Sequence, residues 1–493
     1  MLIAWIALLI YVAITLAIGW YSYTKQQTEA DHWTAGRKLS PLSVGLSLSA
    51  GFMSVSWSCV YAVQLFYWYG IGAFWIITFP WLIALWMIYK LSGKYHQLTA
   101  FSQPEMVGGR FGSSARKSVA LALAFVFLVW GGAEIYVAAN LLSPELGISL
   151  NWVIVIISVV VGIYMTFGGF RAVVTTDKLQ FVLVALYILF IAGLAWTGLS
   201  QSGGTFLPDI ATTGAKSGVS WVALFSPGIM IILLTLVAYL PGWIFEADLW
   251  LRVQAAESPQ AARKGVIIGA VNGFLFVGII PMFIGIAALK LYPMTAGAFP
   301  AHIGFEGDAI FATLAADYAP AWLKLILTLG LVAAAMSTID TCLNVMGLSI
   351  AYDFSHDKPI SQKTGFSKAV TALTVVVAML FSMSINSLWD IFYLSSGILT
   401  TAVAFPVAAV FMKHASRRGV FLSSVFGFVG TVAAYYGETR GFLDRIEPAW
   451  LIESYLGYIL WGLGFAIIGY WTGKWTATES VDSLNNNNGG KTS

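Results

Sequence analysis

The strongest constraint on this chain is a series of apolar stretches about twenty residues long, the length a helix needs to cross the hydrocarbon core of a bilayer. They run at 2–22, 42–69, 71–92, 118–142, 149–169, 178–199, 219–245, 265–289, 322–350, 368–388, 391–412, 419–437 and 449–472, thirteen in all. Only 10% of the 493 residues are Asp, Glu, Lys or Arg, while 58% are apolar or aromatic. A soluble domain carries roughly 25% charge, so most side chains here face lipid or one another. A soluble enzyme, a nucleic-acid binder and a disordered chain are thereby excluded. The expectation is an all-α integral membrane protein with about 13 transmembrane helices, partnered by the lipid bilayer and by no nucleic acid.

Cations between the stretches set the orientation. The odd gaps hold Lys25, Arg37 and Lys38, then Lys94, Arg110, Arg116 and Lys117, then Arg171 and Lys178. Further along they hold Arg252, Arg263 and Lys264, then Lys358, Lys363 and Lys368, then Lys413, Arg417 and Arg418. The even gaps hold few. This pattern places the N-terminus outside and the C-terminus in the cytoplasm of a multi-pass protein of the cell membrane. No basic region precedes the first stretch and no small-residue cleavage site follows it, so it reads as a span rather than a signal peptide. Cys59 and Cys342 fall inside spans, which argues against a structural disulfide of the secreted kind. After Lys474 the chain is polar and Asn-rich, a composition expected to be disordered.

Span two reads Ser47-Leu48-Ser49-Ala50-Gly51-Phe52-Met53-Ser54-Val55-Ser56-Trp57-Ser58. Small polar residues in mid-membrane fit a helix whose backbone opens, and an open backbone is tolerated only where it lines protein or water. Span seven carries a second interruption, Tyr239-Leu240-Pro241-Gly242-Trp243. Either could be a packing kink taken singly. Together they begin two five-helix units, spans 2–6 and 7–11, and five spans between equivalent points make the second unit enter the membrane from the opposite side. Inverted repeats with broken first helices are the sequence mark of a secondary transporter.

Ionisable groups inside spans cost about 3 kcal/mol each to insert and are functional candidates. In span nine, Ala334, Ser337, Asp340 and Thr341 share one helix face with Thr338 beside them. Hydroxyls with a carboxylate make a hard-oxygen surface suited to a small cation. Back-bonding of Ser and Thr to their own helix would explain the hydroxyls but not the acid. Asp177, at the start of span six, fits a helix N-cap on composition alone. Glu134, Glu453 and Asn272 read as partners of neighbouring helices. No nucleophile–base set or metal-ligand spacing stands out, so no enzyme activity and no organic cofactor are expected.

In this order and placement, four segments resemble the sodium:solute symporter family, which includes bacterial proline, pantothenate and sialic-acid symporters. They are Gly36-Arg37-Lys38-Leu39, Tyr164–Val173 ending in Thr176-Asp177, Leu251-Arg252-Val253-Gln254-Ala255-Ala256 with Ala261-Ala262-Arg263, and Met336-Ser337-Thr338. The resemblance implies a five-plus-five inverted-repeat (LeuT-like) core with two broken helices and sodium-driven uptake of a small organic solute by alternating access. Its segments would be 1–40 (first helix and loop), 41–199 (first repeat), 200–412 (second repeat), 413–472 (two peripheral helices) and 473–493 (tail). It also implies a sodium ion held by the carbonyls of Ala50, Met53 and Ala334 and the hydroxyls of Ser337 and Thr338. A second cation site would use Asp177, Ser337, Asp340 and Thr341, with Asp340 standing where several members have a hydroxyl.

For the solute, the family's cavity positions correspond to Trp57, Trp130, Tyr239 and Trp243, with Gln64 a further polar candidate. Aromatic faces can sandwich an apolar or cationic solute. Amino acid, carboxylate, vitamin-like acid and sugar all remain open, a small carboxylated solute being slightly favoured. A transporter-like solute sensor is the alternative reading. A channel is disfavoured because no ring of acids or filter motif appears.

Overall fold

Peptide groups in hydrocarbon have no water to bond, so a chain of this composition satisfies them within helices. A computed structural model describes residues 2–25, 29–98, 100–203, 207–295, 297–355, 364–385 and 394–488. Among the described residues the regular structure is helical, apart from isolated bridges pairing Leu39 with Ala256, Thr213 with Ser220 and Thr295 with Ala298.

In chain order the helices are α1 (Leu2–Lys25), α2 (Glu29–Thr34), α3 (Pro41–Phe52), α4 (Val55–Trp75), α5 (Thr78–His96), α6 (Gln103–Phe111), α7 (Ser113–Leu146) and α8 (Leu150–Gln201). There follow α9 (Ile229–Ala238), α10 (Leu240–Gln254), α11 (Pro259–Leu291), α12 (Ile310–Tyr318) and α13 (Ala321–Phe354). The chain closes with α14 (Thr364–Ser384), α15 (Leu394–Ala409), α16 (Arg417–Thr439) and α17 (Gly457–Asn488). Seven described helices are individually long and apolar enough to cross a membrane. Two more spans are bent pairs, α3 with α4 at 62° and α9 with α10 at 41°. These are the two interruptions expected from the serine-rich and Pro-Gly segments.

Several boundaries differ from the expected ones. Stretches 149–169 and 178–199 are the two helical arms of α8, 52 residues that would extend about 78 Å if straight, more than twice the hydrocarbon thickness; the second arm starts at the kink rather than at 178. The arms meet at Gly169, whose φ of 57° and ψ of −160° interrupt the helical path. The last span begins at Gly457 rather than 449, because Ala449–Ile452 is a separate turn and Tyr455 turns the chain with φ 54°. Glu453 is consequently exposed outside the span. Helix α17 runs to Asn488, across most of the tail expected to be disordered. No Pro or Gly falls between Lys474 and Gly489 to break its hydrogen-bond ladder. Residues 386–393, within the tenth and eleventh expected spans, and 489–493 lie outside the described residues. Cys59 and Cys342 are free and buried.

The first broken helix sits at the centre, with α3 packed against α8, α11 and α13. Its contact with α11 is backbone-close. A Cβ added to Gly45 would lie 2.5 Å from Ile268 Cβ, and one on Gly265 would lie 2.6 Å from Val44 Cβ. Small residues are what allow two membrane helices this near approach. Helix α10 reaches the same centre from the other repeat, touching α3, α5 and α13.

Gly169 also receives α2. A Cβ there would fall 2.6 Å from both the Nδ1 and the carbonyl of His32, which is itself 1% exposed. With positive φ and no room, Gly169→Ala should cost on the order of 2 kcal/mol or more, read as a lowered unfolding temperature in detergent. Burial, reinforced by Lys368, pushes the His32 imidazole down from 6.5 to about 4. The unfolded chain therefore takes up the proton first. Stability supplied by neutral His32 is full above about pH 6.5 and drains as pH falls toward 4. Wild type should lose more unfolding temperature than His32→Gln between pH 7.5 and 5.

Candidate functional site

Where α3 stops and α4 starts, the serines have separate tasks. Ser49 donates to the Gly45 carbonyl at 2.7 Å and accepts from Asn272 at 2.9 Å. Ser54 accepts the Trp57 N–H at 2.9 Å as a cap, and Ser58 donates back to the Ser54 carbonyl at 2.9 Å. Met53, with φ −85° and ψ 49°, ends α3. The last carbonyls of a helix have no partner within it and form its negative end. Here they face α13: Ser337 Oγ donates to the Ala50 carbonyl at 3.0 Å and to the Ala334 carbonyl at 3.0 Å. Thr338 Oγ1 donates to the Gly51 carbonyl at 3.2 Å. The structure thus brings Ala50, Ala334, Ser337 and Thr338 together, with buried Met53 at the break. Gly51, not among the expected ligands, supplies the carbonyl that Thr338 meets. Each hydroxyl keeps lone pairs for a cation, and the set is all hard oxygen.

The second expected cluster is arranged around an arginine. Asp177 Oδ2 accepts from Ser47 Oγ and from Arg252 Nη2 at 3.2 Å. The same Nη2 donates to Thr341 Oγ1 at 2.7 Å, Arg252 Nε donates to Ser47 Oγ at 2.7 Å, and Nη1 reaches Asp248 Oδ2 at 3.4 Å. Arg252 and Asp177 are completely buried. Asp340 turns to the other side, accepting from the Tyr164 hydroxyl at 2.6 Å and from Thr341 at 3.4 Å. A guanidinium therefore lies between Asp177 and Thr341. By sequence Arg252 counts among the loop cations, because a cation near the end of a span bears on orientation. The signal that could have revealed it was the excess of buried acids with no counter-charge.

Of the aromatic candidates, Trp57, Tyr239 and Trp243 come together. Trp57 and Trp243 meet edge to face at 5.4 Å between ring centres, and Tyr239 stacks on Trp243 at 5.7 Å. Trp81 completes the cluster at 5.8 Å from Trp243 and 6.5 Å from Trp57. Nothing in the sequence distinguished Trp81 from other apolar residues of its span. Trp130 packs on Phe127 of its own helix at 5.2 Å. Gln64 lies elsewhere: its Nε2 donates to the carbonyls of Phe305 and Glu306 at 3.1 and 3.3 Å, fastening α4 to a connecting loop. Glu134, 1% exposed, accepts the backbone N–H of Val55 at 2.8 Å and of Ser56 at 3.3 and 3.2 Å. It is a partner of a neighbouring helix, at the broken one.

Comparisons with known proteins agree with this layout. Residues 32–427 match the Sodium:solute symporter family. The chain is 26% identical to a sodium/glucose cotransporter of Vibrio parahaemolyticus over 84% of this chain and 82% of that one. It is 24% identical to a sodium/proline symporter of Salmonella typhimurium, covering 92% and 91%. Among solved structures, a substrate-bound, outward-open sodium-coupled sialic acid symporter superposes with a TM-score of 0.71 at 18% identity, covering 96% of this chain and 97% of that one. The nucleobase-cation symporter Mhp1, in a closed conformation, gives 0.55 at 16% identity, with 91% and 95% covered. The fold is accordingly the LeuT-like inverted-repeat core with two broken helices.

Removing one partner of a buried ion pair leaves the other uncompensated, at a cost of about 3–5 kcal/mol. Arg252→Gln should therefore destabilise strongly, and Asp177→Asn in the same chain should restore part of the loss. Thermal unfolding of the two single variants and the double variant measures this coupling.

Proposed function

This chain belongs to the sodium:solute symporter family, and we propose that it takes up a small organic solute by alternating access, with one sodium ion held at the break of the first broken helix. Sodium-coupled symport across the membrane is what the family carries out. The observation that carries the finer reading is the meeting of Ser337 and Thr338 with the end of α3, where hydroxyls of one repeat touch free carbonyls of the other. A cation there would be held by the carbonyls of Ala50, Met53 and Ala334 and by those two hydroxyls. It would replace two interhelical hydrogen bonds with one shared centre of charge, tying α13 to α3.

That tie couples the ion to the solute. The aromatic cluster of Trp57, Trp243 and Tyr239 stands on both broken helices, Trp57 just beyond the sodium-binding break and the other two at the second break. In this conformation the rings occupy the space between them, so a solute enters when the broken helices or the rings shift. Sodium then favours whichever arrangement binds solute better, and only such differential binding produces coupling. In this reading Trp130 borders the solute path and Gln64 holds a connecting loop shut against α4. The repeats 41–199 and 200–412 are the bodies that rock, 1–40 and 413–472 flank them, and the termini keep the orientation set by the lysines and arginines.

Arg252 takes the place of a second metal cation. Asp177, Thr341 and Ser47 already share its guanidinium, and Asp340 is engaged by Tyr164, so a single sodium accompanies each solute. The solute-sensor alternative shares these sites and is set aside by symport being the family's activity.

Ser337→Ala with Thr338→Ala should raise the sodium concentration needed for half-maximal uptake at least tenfold in proteoliposomes, with normal membrane insertion. Unchanged sodium dependence would remove the proposed site.

A further inference from the structure

We infer that the transported solute is a small organic cation, because Glu134 already fills the place where a broken-helix transporter would hold an anionic group. The inference rests on the proposed solute site and names its chemical class.

The first N–H groups of a helix are unpaired within it and make its positive end. In transporters with discontinuous helices that end points at anionic solute groups. In this chain every donor of the first turn of α4 is taken. Glu134 accepts from Val55 and Ser56, the Ser54 hydroxyl accepts from Trp57, and the Ser54 carbonyl accepts from Ser58 at 3.2 Å and Cys59 at 3.3 Å. A solute carboxylate would find no free N–H there and would face the acceptor oxygens of Glu134.

The buried charges point the same way. Glu134, Asp177, Asp248 and Asp340 are buried in the core of the two repeats, and among the described residues Arg252 is the one arginine or lysine buried with them. Its donors are committed to Ser47, Asp177, Thr341 and Asp248. Among the described residues the other buried arginine, Arg116, is paired with Asp353 at 2.9 Å. Neither is left to bind an anion. Trp57, by contrast, lies in the very turn that Glu134 caps, and it joins Trp81, Trp243 and Tyr239. Indole faces attract a cation through the ring quadrupole, and a carboxylate hydrogen-bonded to the same helical turn adds to that attraction. The indole N–H of Trp57 is buried without a partner, which fits a solute that also offers a neutral acceptor such as a hydroxyl.

The test uses the full-length protein in detergent, with binding of choline, ethanolamine, tetramethylammonium, L-proline, L-lactate and D-glucose measured calorimetrically in sodium and in potassium. At least one of the three cations should bind ten times more tightly than the other probes in sodium. Glu134→Gln should weaken that cation at least tenfold and admit lactate, while Glu134→Asp, which keeps the charge, should retain the preference for the cation. Tightest binding of proline, lactate or glucose by wild type, or no binding of any cation, overturns the inference. If proline, lactate or glucose then binds only in sodium, the proposed symport still stands. A cation bound equally well in potassium supports the inference and removes the sodium coupling instead. Should Glu134→Gln fail to fold, the wild-type ranking decides alone.

Discussion

A helix interrupted in the middle of a membrane exposes two sets of unpaired peptide groups to a medium that offers no water, and everything at the centre of this protein follows from how those groups are satisfied. The carbonyl end of α3 is negative and meets hydroxyls of α13. The amide end of α4 is positive and meets the carboxylate of Glu134. One end is thus left adaptable, since a hydroxyl can turn its lone pair toward a cation. The other is sealed by a charged acceptor from within the same repeat. The asymmetry gives the break its character: an adaptable contact of hydroxyls with carbonyls beside a helix start that is already complete.

Arg252 performs a related task on a larger scale. Its guanidinium joins side chains from α3, α8, α10 and α13, so elements of both repeats share one buried charge. Such a cluster contributes little net stability compared with an apolar core, but it permits few alternative arrangements. A transporter needs its helices to move between a small number of discrete positions. A bond set satisfied in one geometry supplies that discreteness more readily than lipid-like packing does.

Much of this was legible in the sequence because bilayer chemistry is unforgiving. The apolar lengths mark the spans, the serine-rich and Pro-Gly interruptions break a rule that a plain membrane helix obeys and mark the two bends, and the acid in span nine marks a buried polar contact, with Tyr164. What stayed hidden depended on contacts across the fold. Arg252 looked like a loop cation because orientation rules count charges without asking where the helix ends. Glu134 could be read as a helix partner, but its meaning required knowing that its partner is the start of a broken helix. Trp81 carried no local mark at all, and Gln64 looked like a cavity residue because nothing in one dimension says that a loop 241 residues away descends on it. The boundary between the stretches ending at 169 and starting at 178 lies at Gly169, where two helices meet at a kink and the second begins directly.

The burial of Arg252 also has a consequence in time. Asp177 precedes it by 75 residues, an interval of roughly 4–15 s at ordinary synthesis rates of about 5–20 residues per second. Thr341 follows 89 residues later. The first repeat is therefore delivered to the membrane with an acid whose counter-charge does not yet exist, and the nascent chain must keep that acid hydrated or protonated until the second repeat begins. Assembly of the core is less a matter of stacking finished helices than of holding one half open until the other half brings the missing charge.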